Sequence, residues 1–208
     1  MRVLLVTGIF PPDHGGPASY VPQIARGLAN LGHEIVAVVT LSDSLSHDDS
    51  RYPFAVCRIR RGGSRLLRWL KTVRTIHRLA RDADVAYLNG LVLEGIVGSK
   101  VLGRCPAVVK VVGDLIWEKA RNQRATLLDI DAFQRAALPL RWSLLRRLQG
   151  WYTGLADAVI TPSRYLAGVV TGWGVAPSRL RVAASTTRRP TSPTSPSSSP
   201  TSSTASWR

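Results

Sequence analysis

Apolar residues in this chain come in short unbroken runs, separated by stretches with a helical period. The runs Val3–Thr7, Ile35–Thr40, Phe54–Ile59, Val85–Asn89, Ala107–Val112 and Ala158–Thr161 predict strands. They are rich in β-branched residues and continuous rather than alternating, which is the pattern of strands buried on both faces of a parallel sheet. Between them, spacing of about 3.6 residues predicts helices over Ser19–Leu31, Leu66–Ala80, Leu93–Leu102, Leu138–Tyr152 and Ser163–Thr171. Gly32 stands where a helix C-cap glycine belongs. One strand-to-strand step, near Phe54, interrupts the alternation. The repetition predicts an α/β fold with a doubly wound, mainly parallel sheet.

Two regions depart from that pattern. The segment from Gly113 to Ala137 carries Trp117, Glu118, Asp129 and Asp131 with weak periodicity. It reads as a functional loop with short helical pieces at the sheet edge. From Ala183 to Arg208 the chain is almost entirely Ser, Thr, Pro, Ala and Arg, with no Val, Ile, Leu or Phe. Such a stretch buries too little apolar area to offset its ordering entropy. The expectation is one domain over residues 1–182 and a disordered tail over 183–208. The composition switches abruptly after the strand-like Arg179–Val182, as a shifted reading frame would produce. A native Ser/Thr-rich linker is the alternative.

Charge adds a class of partner. Lys and Arg number 28 against 13 Asp and Glu, a net charge of +15. That balance attracts polyanions, anionic lipid surfaces or phosphorylated substrates. Only Lys71, Lys100, Lys110 and Lys119 are lysines, a bias that a GC-rich coding sequence also produces. Two basic helices carry tryptophan. One sets Leu66, Leu70, Val73 and Ile76 on a stripe, with Arg65, Arg68 and Arg78 outside it; the other mixes Trp142, Leu145, Leu148 and Trp151 with Arg141, Arg146 and Arg147. Such helices lie on anionic bilayers; the alternative is a stripe packed on the sheet. No nucleic-acid recognition motif accompanies the charge, so nucleic acid is not expected. Cys57 and Cys105 belong to no CxxC pair and read as two buried thiols in a reducing cytosol. Met1-Arg2 leads straight into a strand, and no apolar run reaches the roughly 20 residues of a membrane span. The expected location is cytoplasmic, with peripheral contact at the inner face of the membrane.

The loop Pro11-Pro12-Asp13-His14-Gly15-Gly16-Pro17 joins the first strand to the first helix. Its glycines lack the GxGxxG spacing and no GK[ST] follows, so NAD and ATP are not expected. Two adjacent glycines let backbone N–H groups approach a ligand, and a helix N-terminus favours phosphate. A plain tight turn is the alternative reading.

PPDHGGPASYVPQIARGLANLGHEIVAVVT resembles the N-terminal half of a retaining glycosyltransferase of family 4, with the GT-B fold. DVAYLNG (84–90), VVKVVGDLIWEKA (108–120), ADAVITPSRYL (156–166) and GWGVAPSRLRV (172–182) agree in order. The resemblance covers about residues 2 to 182. It implies two Rossmann-like domains facing across a cleft. The N-terminal one binds the acceptor, and the C-terminal one holds a nucleotide sugar with a Glu and basic residues. It also implies that the glycine loop approaches the donor diphosphate, and that no metal or other cofactor is needed. The activity implied is transfer of a sugar, with retention, to a glycolipid or other lipid-linked acceptor or to a polysaccharide. The asparagine-glycine connection and second domain of that pattern have no counterpart here. The expectation is therefore a truncated chain, inactive alone, for which the donor is a partner only together with the missing domain. The alternatives are a non-catalytic remnant that holds acceptor or membrane, and half of a nucleotide-sugar epimerase, which shares the fold class.

Candidate residues follow from their places at strand ends. Asp114, reached from a strand through Gly113, can orient a sugar hydroxyl or support a developing positive charge, or simply cap a helix. Trp117 can stack on a sugar ring, or pack; Glu118 shares its loop. Asn89 and Gly90 end another strand and line the acceptor pocket, or form a turn. Ser163 reads as an N-cap, and Arg164 as a phosphate contact or a solvated side chain. His14 is the one histidine tied to a site, while His33 reads as structural. His47, Asp48 and Asp49 read as a solvated loop rather than a metal site.

Overall fold

Every predicted strand forms, and a seventh joins them. The computed structural model describes residues 1–183. The strands are β1 (Arg2–Thr7), β2 (Glu34–Ser42), β3 (Val56–Arg60), β4 (Val85–Asn89), β5 (Ala107–Lys110), β6 (Ala158–Thr161) and β7 (Leu180–Val182). They lie in the order β3-β2-β1-β4-β5-β6-β7, with each neighbouring pair parallel. The tail expected over 183–208 falls, from residue 184 onward, outside the described residues.

The unbroken apolar runs have a simple cause. In β1, Val3 and Leu5 join one buried cluster while Leu4 and Val6 join the other. A strand with core on both faces has no polar face to show. The first cluster packs under α1 (Gly16–Asn30) through Val21 and Ala25. Phe10, Tyr52 and Phe54 close it, which is why Phe54 is buried yet precedes β3. The α1 helix starts earlier than its period predicts because Pro17, with its φ already fixed, suits the first turn.

The other face is covered by α2 (Arg65–Ala80), α3 (Val92–Gly95, continuing as a π-helical turn to Val101), α6 (Leu140–Gly154) and α7 (Arg164–Gly172). Here the predicted stripe of α2 needs correction. Only Thr72, Val73, Ile76 and Ala80 are buried, whereas Leu66 is 65% and Leu70 43% exposed. In the first two turns of α2 only Arg68 and Trp69 are partly covered, and full burial begins at Thr72. Along α6, Trp142 is buried but Trp151 is exposed, because Gln149, Gly150, Tyr152 and Thr153 take the inner face.

The segment after β5 does contain short helices, α4 (Leu115–Asn122) and α5 (Ile130–Arg135). With α6 it builds a small core of its own from Ile116, Ala120, Phe133 and Trp142. Asp129 caps α5 by accepting from the Ala132 N–H at 2.7 Å.

Candidate functional site

The strand order reverses between β1 and β4, and ligands of open α/β sheets bind at such a switch point, at the carboxyl edge. Two glycines set the geometry there. Gly90, at φ +121°, lies so close to the β1 loop that a Cβ would sit 2.7 Å from the Gly8 nitrogen. Gly15, at φ +144°, would drive a Cβ to within 2.8 Å of Ile9 Cδ1. Gly15 is also the N-cap of α1 and offers no side-chain cap; Pro17 has no N–H, so the Gly16 and Ala18 N–H groups are the first-turn donors without a side-chain acceptor.

The glycine loop is clamped from behind. Arg58, with 4% of its side chain exposed, pairs with Asp49 at 2.7 Å and donates to the Pro11 carbonyl at 2.7 Å. Arg61 bridges Asp13 and Asp43, each at 2.5 Å. Asp49 is thus spent on an arginine. Among the described residues, no three His, Cys, Asp or Glu side chains converge as a metal site would require.

Beside the loop is a cavity of about 600 Å³. Pro17 contributes from α1, Asn89, Gly90, Leu91 and Glu94 from the end of β4 and α3, and Lys110, Val111, Gly113 and Glu118 from β5 and α4. Leu145, Leu148, Gln149 and Tyr152 of α6 close the far wall. Its lining is mostly apolar, with a few polar groups, as in small-molecule sites generally.

Asp114 lies beneath this cavity, fully buried. Its Oδ1 accepts from the backbone N–H of Ile116 (2.9 Å) and Trp117 (3.1 Å), so it is the N-cap of α4. Gln149 Nε2 donates to the same oxygen at 3.2 Å and Gln134 Nε2 to Oδ2 at 2.6 Å. Gln134 in turn accepts from Trp173 Nε1 at 3.1 Å. The other end of Gln149 is unusual: its Oε1 is buried with no hydrogen-bond partner, in a side chain that lines the cavity. Buried acceptors are nearly always satisfied, and this one is an exception at the cavity wall.

Partial desolvation, and then the charge of Asp114, pushes the Glu118 carboxyl above its ordinary range. Burial likewise raises Glu94, with Arg68 opposing the shift. Tyr152 is pushed up to about 12 by burial, with Glu94 and Asp114 adding to it. Lys110 Nζ lies 3.1 Å from the centroid of the Tyr20 ring, and the Tyr20 hydroxyl is 3.2 Å from that of Tyr87.

The cavity therefore gathers Asn89, Gly90 and Glu118. His14, Gly15 and Gly16 are exposed on the adjoining loop. Trp117 turns away, donating from Nε1 to the Leu128 carbonyl at 3.0 Å and packing on the small core. Arg164 is exposed at the start of α7, behind Ser163, whose Oγ accepts from the Leu166 N–H. One arginine of each basic helix is engaged within the domain. Arg68 donates to the Arg61 carbonyl, and Arg146 to those of Phe133 and Gln134, both at 2.9 Å. Sequence reading missed Glu94, Lys110 and Gln149. For the first two a signal existed: a single charge inside the apolar runs LVLEGIVG and AVVKVV. Gln149 gave none, because its role arises only when α6 meets α4.

The fold has known counterparts. The structure of HepE from Anabaena in complex with UDP and glucose superposes with a TM-score of 0.58 at 16% identity, over 88% of this chain and 44% of that one. The lipopolysaccharide outer core galactosyltransferase WaaB gives 0.57 at 10% identity, over 88% and 45%. UDP-N-acetylglucosamine 2-epimerase from Rickettsia bellii gives 0.53 at 8%, over 88% and 44%. The chain thus spans less than half the length of each. No curated protein matches the sequence. The sheet is the Rossmann-like sheet of GT-B glycosyltransferases. The family of glycosyl transferase 4-like domains matches residues 15–185, and the chain belongs to that family.

Proposed function

We propose that this domain is the acceptor side of a glycosyltransferase that moves a hexosyl group from a nucleotide sugar, with retained configuration, to a glycolipid or polysaccharide. The observation that carries the reading is the cavity at the switch point, walled by the β4 and β5 ends beside an uncapped helix N-terminus. Gly15 and Gly16 face the donor diphosphate with backbone N–H groups, where developing negative charge is stabilised without reorganisation. His14 and Arg164 are outer phosphate contacts. Asn89, Glu118 and the unpartnered Gln149 oxygen take acceptor hydroxyls. Asp114 acts through its neighbours, holding α4 and Gln149 in register, and Trp117 supports α4. HepE, a structural counterpart, is solved with UDP-glucose, which favours a UDP-sugar as donor.

The nucleotide is assigned to protein outside residues 1–183, so the proposal expects no appreciable transfer by this chain alone. Holding two substrates in register supplies about 7–11 kcal/mol in favourable cases, and one face of a cleft forfeits most of it. The test is product formation from a panel of UDP-sugars, by this chain alone and by the chain joined to a donor-side domain. Turnover only in the joined protein is expected. Robust donor-dependent turnover by the chain alone contradicts the assignment. The epimerase reading draws on the shared sheet of the Rickettsia bellii enzyme and predicts interconversion of UDP-sugars with no acceptor present.

Contact with anionic membrane belongs to the same proposal. Among the described residues no helix is long and apolar enough to cross a bilayer. However, α2 exposes Arg65, Lys71, Arg74 and Arg78, with Arg81 just after its end, on the helix that also exposes Leu66 and Leu67. Co-sedimentation with anionic vesicles, lost at high salt, is the expected result.

A further inference from the structure

The outer face of α2 carries a charge pattern that the cavity at the switch point does not use. A hollow of about 690 Å³ lies along its C-terminal half, lined by Lys71, Arg74, Thr75, His77, Arg78 and Arg81. None of these residues lines the cavity. The chain runs from Ala80 into the start of β4 at Val85, so the hollow lies toward the amino edge of the sheet, away from the carboxyl edge. Lys71, Arg74, Arg78 and Arg81 are spaced i, i+3, i+7 and i+10, which places them on one helical face. They span about 15 Å along the axis.

No counter-charge accompanies them. Residues 65–81 contain no Asp or Glu, and among the described residues none of the four cations is ion-paired. Asp82 and Asp84 follow the helix, and Asp84 is taken by the Arg2 N–H at 2.7 Å. His77, which lines the same hollow, keeps a buried Nδ1 with no hydrogen-bond partner. The helix dipole favours cations at its end and accounts for Arg78 and Arg81. It does not account for Lys71 and Arg74, which stand inside the helix. Like charges three and four residues apart destabilise a helix, so this face carries a cost that folding does not recover. The helix itself is firmly seated. Thr72, Val73, Ile76 and Ala80 are buried, and a Cβ on Gly98 of the π-helical turn would lie 2.9 Å from the Ile76 side chain. The cations are therefore presented by a packed helix and not by a loop.

The exposed leucines of α2, Leu66, Leu67 and Leu70, all precede the hollow, whose lining holds no large apolar side chain. A bilayer suits the first part of the helix; the hollow suits a water-borne anion. One phosphate cannot span cations seven residues apart, about 10 Å, and guanidinium forks match phosphate oxygens in pairs. We propose that this hollow binds a polyphosphate, an anion with several phosphates in a row. Its middle lies on Arg74 and Arg78, and its ends reach Lys71 and Arg81.

The test is calorimetric titration of the chain with inorganic tripolyphosphate at low salt. Parallel arms use orthophosphate, trigalacturonate and phosphatidylserine vesicles. Tripolyphosphate is expected to bind saturably, and orthophosphate at least tenfold more weakly. Arg74→Gln combined with Arg78→Gln should weaken tripolyphosphate at least tenfold. Arg26→Gln combined with Arg135→Gln removes the same charge from exposed positions on α1 and α5 and should change affinity less than twofold. Amide shifts should centre on residues 71–81. Without ligand, Arg74→Gln alone should raise the melting temperature at low salt by relieving repulsion; a lowered one would make these cations structural and count against a site. Equal losses from the two double variants would show attraction to net charge alone and overturn the proposal. Shifts confined to residues 14–18 would move the anion to the glycine loop and overturn it as well. Tighter binding of trigalacturonate would overturn the phosphate class. A hollow variant that loses vesicles but keeps tripolyphosphate would make this face a lipid contact instead.

Discussion

The glycine loop after β1 and the segment after β5 leave the same edge of one sheet, yet they are held by different means. The loop has almost no packing of its own beyond Phe10. It is clamped from behind by charge, through Arg58 on Asp49 and the Pro11 carbonyl and Arg61 on Asp13. The β5 segment carries a private core of Ile116, Ala120, Phe133 and Trp142, with Asp114 satisfying four donors under it. The difference follows from what each must present. A loop that offers bare backbone to a ligand cannot spend side chains on packing over it, so the restraint comes from neighbouring strands. A segment that offers a wall can pack its other side.

Four perturbations break or sharpen this contrast, from the largest effect down. Phe133→Ala empties the private core and should cost about 3–5 kcal/mol in denaturant unfolding, with loss of order concentrated in residues 113–146. Asp114→Ala removes a helix cap and strands the amides of the buried Gln149 and the half-buried Gln134, which should cost about 3 kcal/mol. Loss of acceptor binding in Asp114→Ala without that destabilisation would instead make Asp114 a direct substrate contact. On the charged side, Arg58→Ala should cost about 2 kcal/mol, because Asp49 keeps some water when its partner goes. Arg61→Ala, at 33% side-chain exposure, should cost below about 1 kcal/mol. Both should speed amide exchange in residues 10–16, and 1 M salt should reproduce the Arg61 effect but not that of Arg58.

The smallest effect concerns Glu94. Burial raises its pKa, so the carboxylate is the costly form in the folded state. Its stability penalty is absent below the ordinary glutamate range and grows as pH rises through the raised value. Glu94→Gln should therefore raise the melting temperature at pH 7, and the gain should vanish near about pH 4. A gain that persists at acid pH would mean that shape, not charge, is responsible.

The strands were legible because burial on two faces leaves only one kind of sequence, as the alternate facing of Val3, Leu4, Leu5 and Val6 shows. Helix α1 was legible apart from its start, where Pro17 outweighs periodicity. The early turns of α2 were not, since a stripe of leucines says nothing about whether the sheet extends beneath it. Asn89, Gly90 and Glu118 could be found because strand ends gather at one edge in any doubly wound sheet. The two roles weighed for Asp114 could not be separated from sequence, because both place a carboxylate after a strand. Only the glutamines, arriving from α5 and α6, show how fully its oxygens are occupied. Gln149 stayed hidden for the same reason: a long-range contact leaves no periodic mark.

The central claim is that the hollow at the switch point holds the acceptor. Amide chemical-shift mapping on the isotopically labelled chain, titrated with candidate saccharide and glycolipid acceptors, tests it most directly. The account predicts saturable shifts confined to residues 89–94, 110–119 and 144–153, reduced by Gly90→Val, which forces the β1 and β4 loops apart. Saturable binding whose shifts fall elsewhere, and which survives Gly90→Val, would contradict it.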